Sequence, residues 1–482
     1  MNGTPFLKTM EGIAQSMIRE TLSATVIGTT IWLAIACSPI PMDHTLPDAG
    51  QLGSPRGLHV VRTLTHFHTP YSYDACDRKG LSDTGVPDPT CLAELRKGLC
   101  DNRVDFVFTT DHPNHMADHS MQELLLSAPG DEILDHNGAP YANRLVGCTT
   151  GARPLLFAGF EGRVLAMGMT RHLDPDPATR QTLYMEETNE IRTRLINETD
   201  AIVVVPHTES RVVSQIEDLN PDAIEIYNTH ANLDPKIRHD DLGAPPFEDL
   251  PNILSYLLDP YGQLQPDFMF MGFFQLFPIY ASHWDQLIAD GHHVVGLGGN
   301  DSHENIFPQK GADGERLDAH RRMIRFMTNH FLVDDVTPTA IKSAIRQGHG
   351  WVVFEGLGSP VGMDFSVQVG DAPPVGVGDS TTLGGKAATF TVKAPHLHAT
   401  SPQKQFGPLL RITLKHVKAD GTDEEVASST QGDLTYTTSV AGAYRAEINM
   451  IPLQLKAYLG SFASYATDLY PWIITNHVYL AP

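Results

Sequence analysis

His66 and His68 stand two residues apart in Thr65-His66-Phe67-His68-Thr69-Pro70, at the end of the apolar run Val60-Val61-Arg62-Thr63-Leu64. In a β-strand alternate side chains leave on the same side, so both imidazoles would point one way from the C-terminal end of that run and form half of a metal site. A lone His-x-His is equally what surface or core histidines produce. Here the arrangement recurs, because other apolar runs end in Thr110-Asp111-His112, Gly159-Phe160-Glu161-Gly162, Pro206-His207, Glu225-Ile226-Tyr227-Asn228 and Gly299-Asn300-Asp301-Ser302-His303. Imidazole nitrogen mixed with carboxylate oxygen suits Zn, Mn or Fe, whereas a calcium or magnesium site is nearly all oxygen. Neutral histidines add no charge, so the carboxylates must offset the cations. Two such cations sharing a hydroxide make a nucleophile at neutral pH, which is hydrolytic chemistry.

Residues so far apart in the chain need a frame that gathers strand ends. The runs expected as strands are Val60 to Thr65, Asp105 to Thr110, Leu155 to Phe160, Ala201 to Val205, Ala223 to Tyr227, Val294 to Gly298 and Trp351 to Phe354. Helical segments separate them, the pattern of a βα-type fold. In α/β barrels the chemistry collects at the carboxyl ends of the strands, where the polar residues of the first six runs lie.

On these motifs the chain resembles the polymerase and histidinol phosphatase (PHP) superfamily, from Val60 to Gly356. The resemblance implies a distorted (β/α)7 barrel over residues 58–356 and a cluster of two to three divalent transition metals. His66, His68, Glu161 and Asp301 would hold the first metal, Glu161 with His172 and His207 the second, and Asp74, His112 and His303 the third. Glu161, Asp301 and His207 would be the catalytic set, and Asp111 would orient a ligand. Asn228, His230 and Asn300 stand beside the ligands, where they either bind substrate or serve as turn and capping residues. Arg171 is a candidate phosphate contact, with a surface ion pair as the competing role. His115 and His119 have no counterpart and are expected at solvated positions.

Two segments, Pro113 to Arg153 and Ala231 to His293, are longer than βα connections need. The second carries Phe268-Met269-Phe270-Met271-Gly272-Phe273-Phe274, then Phe277, Tyr280 and Trp284. Such a stripe either packs a core or floors a pocket for an apolar group.

The flanks set the context. Lys8 and Arg19 precede the apolar run Leu22 to Ala36, too short and polar for a comfortable membrane span, which ends in Leu33-Ala34-Ile35-Ala36-Cys37-Ser38. This resembles a bacterial lipoprotein signal over residues 1–37, with Cys37 as the lipidation site and Met17 as an alternative start. It implies export to the cell envelope, with a lipid anchor in the periplasm. Residues 38–57 read as a tether. Cys76, Cys91, Cys100 and Cys148 then either form two disulfides, with connectivity undetermined, or stay as free buried thiols. Residues 357–482 alternate with period two, as in Phe390-Thr391-Val392-Lys393, and are expected as a small β-sandwich in which His396, His398 and His477 are exposed strand residues.

Length and composition allow a large core and a smaller second one: 482 residues, 41% of them hydrophobic. The formal net charge of -23 repels phosphate backbones, so nucleic acid is not an expected partner. The expected activity is a metal-dependent hydrolase acting on a small phosphorylated substrate, a phosphomonoester or phosphodiester. The alternatives are hydrolysis of a non-phosphate bond by the same cluster, or a non-catalytic metal-binding surface protein.

Overall fold

The computed structural model describes residues 42–248, 250–259, 264–398 and 406–482. Cys37 and the leader expected before it lie outside these residues. The strand His59–Phe67 runs through the middle of the molecule, with all but its first residue buried. It pairs parallel with Phe106–Thr109 and antiparallel with Thr328–Val333 inside a 13-stranded sheet. Parallel pairing on one side and burial on both faces explain its near-continuous apolar sequence. A second sheet has five strands in the order Val295–Gly299, Ala223–Asn228, Ile202–Val205, Leu165–Met167 and Phe160–Glu161.

The fold is therefore mixed α/β, with ladders that form separate sheets. The two larger sheets touch at isolated parallel bridges, Phe67 with Ser302 and Asp111 with Phe160. Backbone bonds reinforce both places: Asp301 N–H donates to His66 O at 2.6 Å, His68 N–H to Ser302 O at 3.2 Å, and Glu161 N–H to Asp111 O at 3.1 Å. Every residue at these junctions is a candidate ligand or its neighbour. Between the sheets lies an apolar cluster that includes Val61, Phe106, Phe157, Ile202, Val295 and Phe331.

The first long insertion folds into two short helices and the hairpin Glu132–His136 with Ala139–Arg144, which extends the sheet beyond Leu155–Phe157. In the second, Phe268, Phe270, Phe273 and Phe274 are buried, and Phe274 stacks on Phe326 at 4.2 Å. The aromatic stripe is core packing.

C-terminal strands continue the large sheet: Gly350–Val353 pairs with Tyr470–Thr475, which pairs with Gly442–Ile451. A four-stranded sheet made of Val375–Gly376, Asp364–Val369, Ala388–Lys393 and Leu434–Thr438 faces this region, with Phe390 against Tyr444 at 4.5 Å. The described residues from Met42 to Pro482 form one compact unit. Asn476 clamps it, its side chain accepting from Gly296 N–H at 2.7 Å and donating to the carbonyls of Gly296 and Gly350. His477, expected on an exposed strand, is instead buried against Trp284 with ring centroids 4.4 Å apart. It lies two residues past the strand Tyr470–Thr475, and Trp284 belongs to the helix Pro278–Ala289.

Candidate metal centre

Glu161 and Asp301 lie between two groups of histidines. His66 Nε2 is 3.3 Å from Glu161 Oε2 and 3.3 Å from Asp301 Oδ1, and His68 Nε2 is 3.2 Å from each of the same oxygens. His207 Nε2 is 3.3 Å from the other oxygen of each carboxylate, Glu161 Oε1 and Asp301 Oδ2. Both carboxylates thus offer one oxygen to each side, so Asp301 stands to the histidines as Glu161 does. On a third side Asp74 Oδ2 is 3.3 Å from His112 Nε2 and 3.4 Å from His303 Nε2. Ligand atoms within 4.8 Å of one another form the sets His66, His68, Glu161, Asp301; His68, Asp74, His112, His303; and His230, Asp301, His303.

The chemistry of these atoms fits a divalent cation. His66 Nε2, His68 Nε2, His303 Nε2 and both Asp301 oxygens are buried, and among the described residues they meet carboxylate or imidazole atoms at 3.2–3.4 Å without a well-aligned hydrogen bond. Each such atom costs about 1–3 kcal/mol if left alone. Converging orphans of opposite character are what a missing positive centre would satisfy.

The opposite edge of each ring is engaged, which turns Nε2 inward. His66 Nδ1 is 2.5 Å from Glu225 Oε1, His68 Nδ1 3.0 Å from Ser72 Oγ, His207 Nδ1 3.0 Å from Glu209 Oε1 and His303 Nδ1 3.0 Å from Asp301 O. Glu225 does more, accepting from His207 N–H at 3.0 Å and Asn228 Nδ2 at 2.9 Å. Its approach needs glycine at 299, where a Cβ would meet Glu225 Oε1 at 2.0 Å. Asp111 accepts from Thr69 N–H at 2.6 Å and Thr69 Oγ1 at 2.7 Å, which fixes the turn after His68.

Charge balance follows the same geometry. Burial pushes the carboxyls of Glu161 and Asp301 up, but the surrounding histidines, His66 first, hold both well below the usual carboxylate range. Burial likewise opposes charge on His68, yet Asp301 and Glu161 bring it up to about 10. His303 goes the other way, to about 3, because burial and the neighbouring His68 outweigh Asp74 and Asp301. A site that holds two ionised carboxylates in the interior is arranged for cations.

The backbone pays locally for this arrangement. His66, His207 and Asp301 have φ of 52°, 51° and 51°, the left-handed region that non-glycine residues rarely enter. At His66 the pairing with Phe106–Thr109 also shifts register, between Leu64 and Phe67. The two histidines therefore meet through a bulge that re-aims the strand end, and regular alternation is not what joins them.

The expected residues divide. His66, His68, Asp74, His112, Glu161, His207, Asp301 and His303 come together. His172 does not: its Nδ1 is 2.9 Å from Tyr184 Oη and its Nε2 2.9 Å from His119 O, with the ring stacked beside Tyr184. Burial and then Arg180 lower its pKa to about 4. His230 comes closer than expected, Nδ1 3.6 Å from Asp301 Oδ2 and its ring 5.2 Å from His303. Asn228 supports Glu225 and caps the following helix through Ala231 N–H at 2.8 Å, while Asn300 donates to Met323 O at 2.8 Å. Arg171 is exposed and donates to Glu198 O at 2.8 Å. His115 is exposed and His119 half-buried. Glu209, Ser72 and Thr69 carry no signal of their support role in the sequence, whereas Glu225 stands in the run Glu225-Ile226-Tyr227-Asn228, in the middle of the strand Ala223–Asn228.

Beside Glu161 and His207 a cleft of about 360 Å³ opens, with Arg163, Ser210, Arg211 and Gln215 on its walls. No protein-family model matches the chain, and no curated protein matches it. Among solved structures, it is similar to a two-domain protein from Bacteroides vulgatus described as containing a predicted PHP-like metal-dependent phosphoesterase. The similarity covers 90% of this chain and 97% of that one, at 11% sequence identity and a TM-score of 0.33.

Proposed function

We propose that the chain is a metal-dependent hydrolase that cleaves phosphoesters, holding two to three Zn, Mn or Fe ions. The observation that carries this reading is the set of buried, unpartnered ligand atoms on His66, His68, His303 and Asp301, aimed at common points between two ionised carboxylates. His66, His68, Glu161 and Asp301 would hold one ion, His207 with the outer oxygens of both carboxylates a second, and Asp74, His112 and His303 a third. When bound, such ions supply Lewis acidity and an activated water.

The chain's own residues do the rest. Glu225 and Glu209 fix the orientation of His66 and His207, and Ser72 that of His68, so the ligand geometry is set before any ion or ester arrives. His230 stands at the half-buried rim, its Nδ1 3.6 Å from Asp301 Oδ2, where a general acid facing a leaving oxygen would be needed. Strand junctions at Phe67–Ser302 and Asp111–Phe160 support reading the two sheets as one distorted barrel whose seams carry the ligands. Retention of strained, costly polar residues favours an enzyme over a scaffold.

Cys76 with Cys91 and Cys100 with Cys148 are paired as disulfides, which supports an oxidising compartment. We place the protein in the bacterial cell envelope, anchored through Cys37.

The test is a screen of metal-loaded protein against phosphomonoesters, phosphodiesters and carboxylic esters, with elemental analysis of the same sample. Chelator-reversible turnover of a phosphoester with more than one ion per chain is expected. Active protein with one ion or none would exclude the reading.

A further inference from the structure

Arg163 lies on the hairpin that carries Glu161. The strands Phe160–Glu161 and Leu165–Met167 pair through Glu161 with Leu165, so Arg163 sits at the turn, two residues from a bridging carboxylate. That turn is held from two sides. Gly162 packs so close to Tyr184 that a Cβ would meet its carbonyl oxygen at 1.8 Å, and Tyr184 also stacks on Phe160 at 4.0 Å. Arg211 Nη2 donates to Arg163 O at 2.8 Å.

The two arginines of the cleft differ in what they have left to offer. Arg211 is occupied, its Nη1 2.6 and 2.7 Å from the oxygens of Glu187. Arg163 lines the cleft with no hydrogen bond or ion pair to its guanidinium among the described residues, and it is exposed. In a chain of net charge -23 an unmatched guanidinium beside the ligands of a cation cluster is a directed positive charge. Its planar fork matches two oxygens of a phosphoryl or carboxylate group. A neutral ester gives it nothing to bind.

We infer that Arg163 binds the anionic oxygens of the substrate, so that the centre takes esters that keep a free, negatively charged phosphoryl oxygen and disfavours neutral esters. This rests on the proposed hydrolase, and makes Arg163 a binding residue for specificity, in the place the sequence assigned to Arg171. Ser210 and Gln215 complete the polar wall, although Ser210 Oγ is already spent on His207 O at 3.0 Å.

Calorimetry of inorganic phosphate with the metal-loaded full chain tests the inference without turnover. Arg163→Gln should weaken phosphate binding at least about tenfold, Arg163→Lys less, and Arg411→Gln, which removes the same charge from the strand Leu409–Val417, should not weaken it. Metal content is measured in each variant. With p-nitrophenyl phosphate, Arg163→Gln should raise KM more than it lowers kcat, and leave any hydrolysis of neutral p-nitrophenyl acetate in place. Equal phosphate affinity in Arg163→Gln and the parent would overturn the inference, as would a parent that binds no phosphate at millimolar concentration. A parent that binds phosphate through Arg163 but turns over no phosphoester would leave the inference standing and sink the proposed function.

Discussion

Glu225 never faces the cluster's centre, yet it holds His66 by the ring and His207 by the backbone. Glu225→Gln keeps the shape and removes the charge that orients His66, so metal affinity should fall about 10–100-fold, measured by competition with a calibrated chelator. Glu161→Gln acts on the ligands themselves: at least one ion should be lost and turnover should drop at least about a hundredfold. Full metal loading with near-normal kcat would show that the bridge is misassigned. His172 offers a pH test. Its folded pKa of about 4 lies below the ordinary 6.5, so between those values the unfolded chain takes up a proton that the folded chain refuses. Its contribution is present above pH 6.5 and is lost as pH falls toward 4. His172→Gln should therefore lose less urea resistance than the parent between pH 7 and pH 4.5, and an identical loss in both would refute the assignment. Ligand types were legible in the sequence because histidine and acid at strand ends carry a chemical meaning on their own. His172 and His230 lie in segments whose paths depend on packing, and the structure sets the first against Tyr184 and His119 and the second beside Asp301 and His303.

At the scale of elements, the site is built where regular strands stop being regular. Each of the seven runs expected as strands overlaps one, while Leu165–Met167 and Thr328–Val333, like the hairpin strands Glu132–His136 and Ala139–Arg144, are strands that the pattern does not mark. Leu165–Met167 is a three-residue return strand two residues past Gly162-Arg163, and only Met327 separates Thr328–Val333 from the helix before it. The bulge at His66 was invisible because a left-handed histidine has no sequence signature. One further element ties down the loop that carries Asp74 beside His303. Cys76 N–H donates to His303 O at 2.8 Å, Asp77 N–H to Glu304 O at 3.1 Å, and the Cys76–Cys91 disulfide joins this loop to the helix Pro89–Asp101. Asp74 stands two residues before Cys76. Opening the bridge should therefore loosen Asp74 and leave the glutamate-bridged ligands unaffected. Cys76→Ser with Cys91→Ser should lower metal content by up to one ion per chain and keep the ion of His66 and His68. Unchanged content would mean that the two backbone bonds hold the loop without help.

For the whole molecule, the question is what keeps the central strand in place against so many polar groups drawn inward at its end. Arg62, four residues before His66, is fully buried and paired with Glu355 through Nε at 2.7 Å and Nη2 at 2.9 Å. Its Nη1 donates to the carbonyls of Pro47, Arg103 and Asn102 at 3.0, 3.1 and 3.3 Å. Glu355 also accepts from Thr328 Oγ1 at 2.9 Å and Ser359 Oγ at 2.8 Å. Burial opposes its charge, but Arg62 and then His330 keep its carboxyl well below the usual range. The pair thus fastens the strand that carries His66 and His68 to the residues that lead into the C-terminal β region, which the period-two pattern revealed as strands without showing that they extend the same sheet. A buried pair of this kind adds little net stability compared with a well-packed apolar replacement, but removing one partner strands the other charge. Glu355→Gln should destabilise the protein by about 3–5 kcal/mol in urea unfolding, whereas Arg62→Met with Glu355→Leu should recover most of that loss. A single variant within about 1 kcal/mol of the parent would show that Arg62 finds enough partners in the carbonyls of Pro47, Asn102 and Arg103, and that the strand is held by its ladder alone.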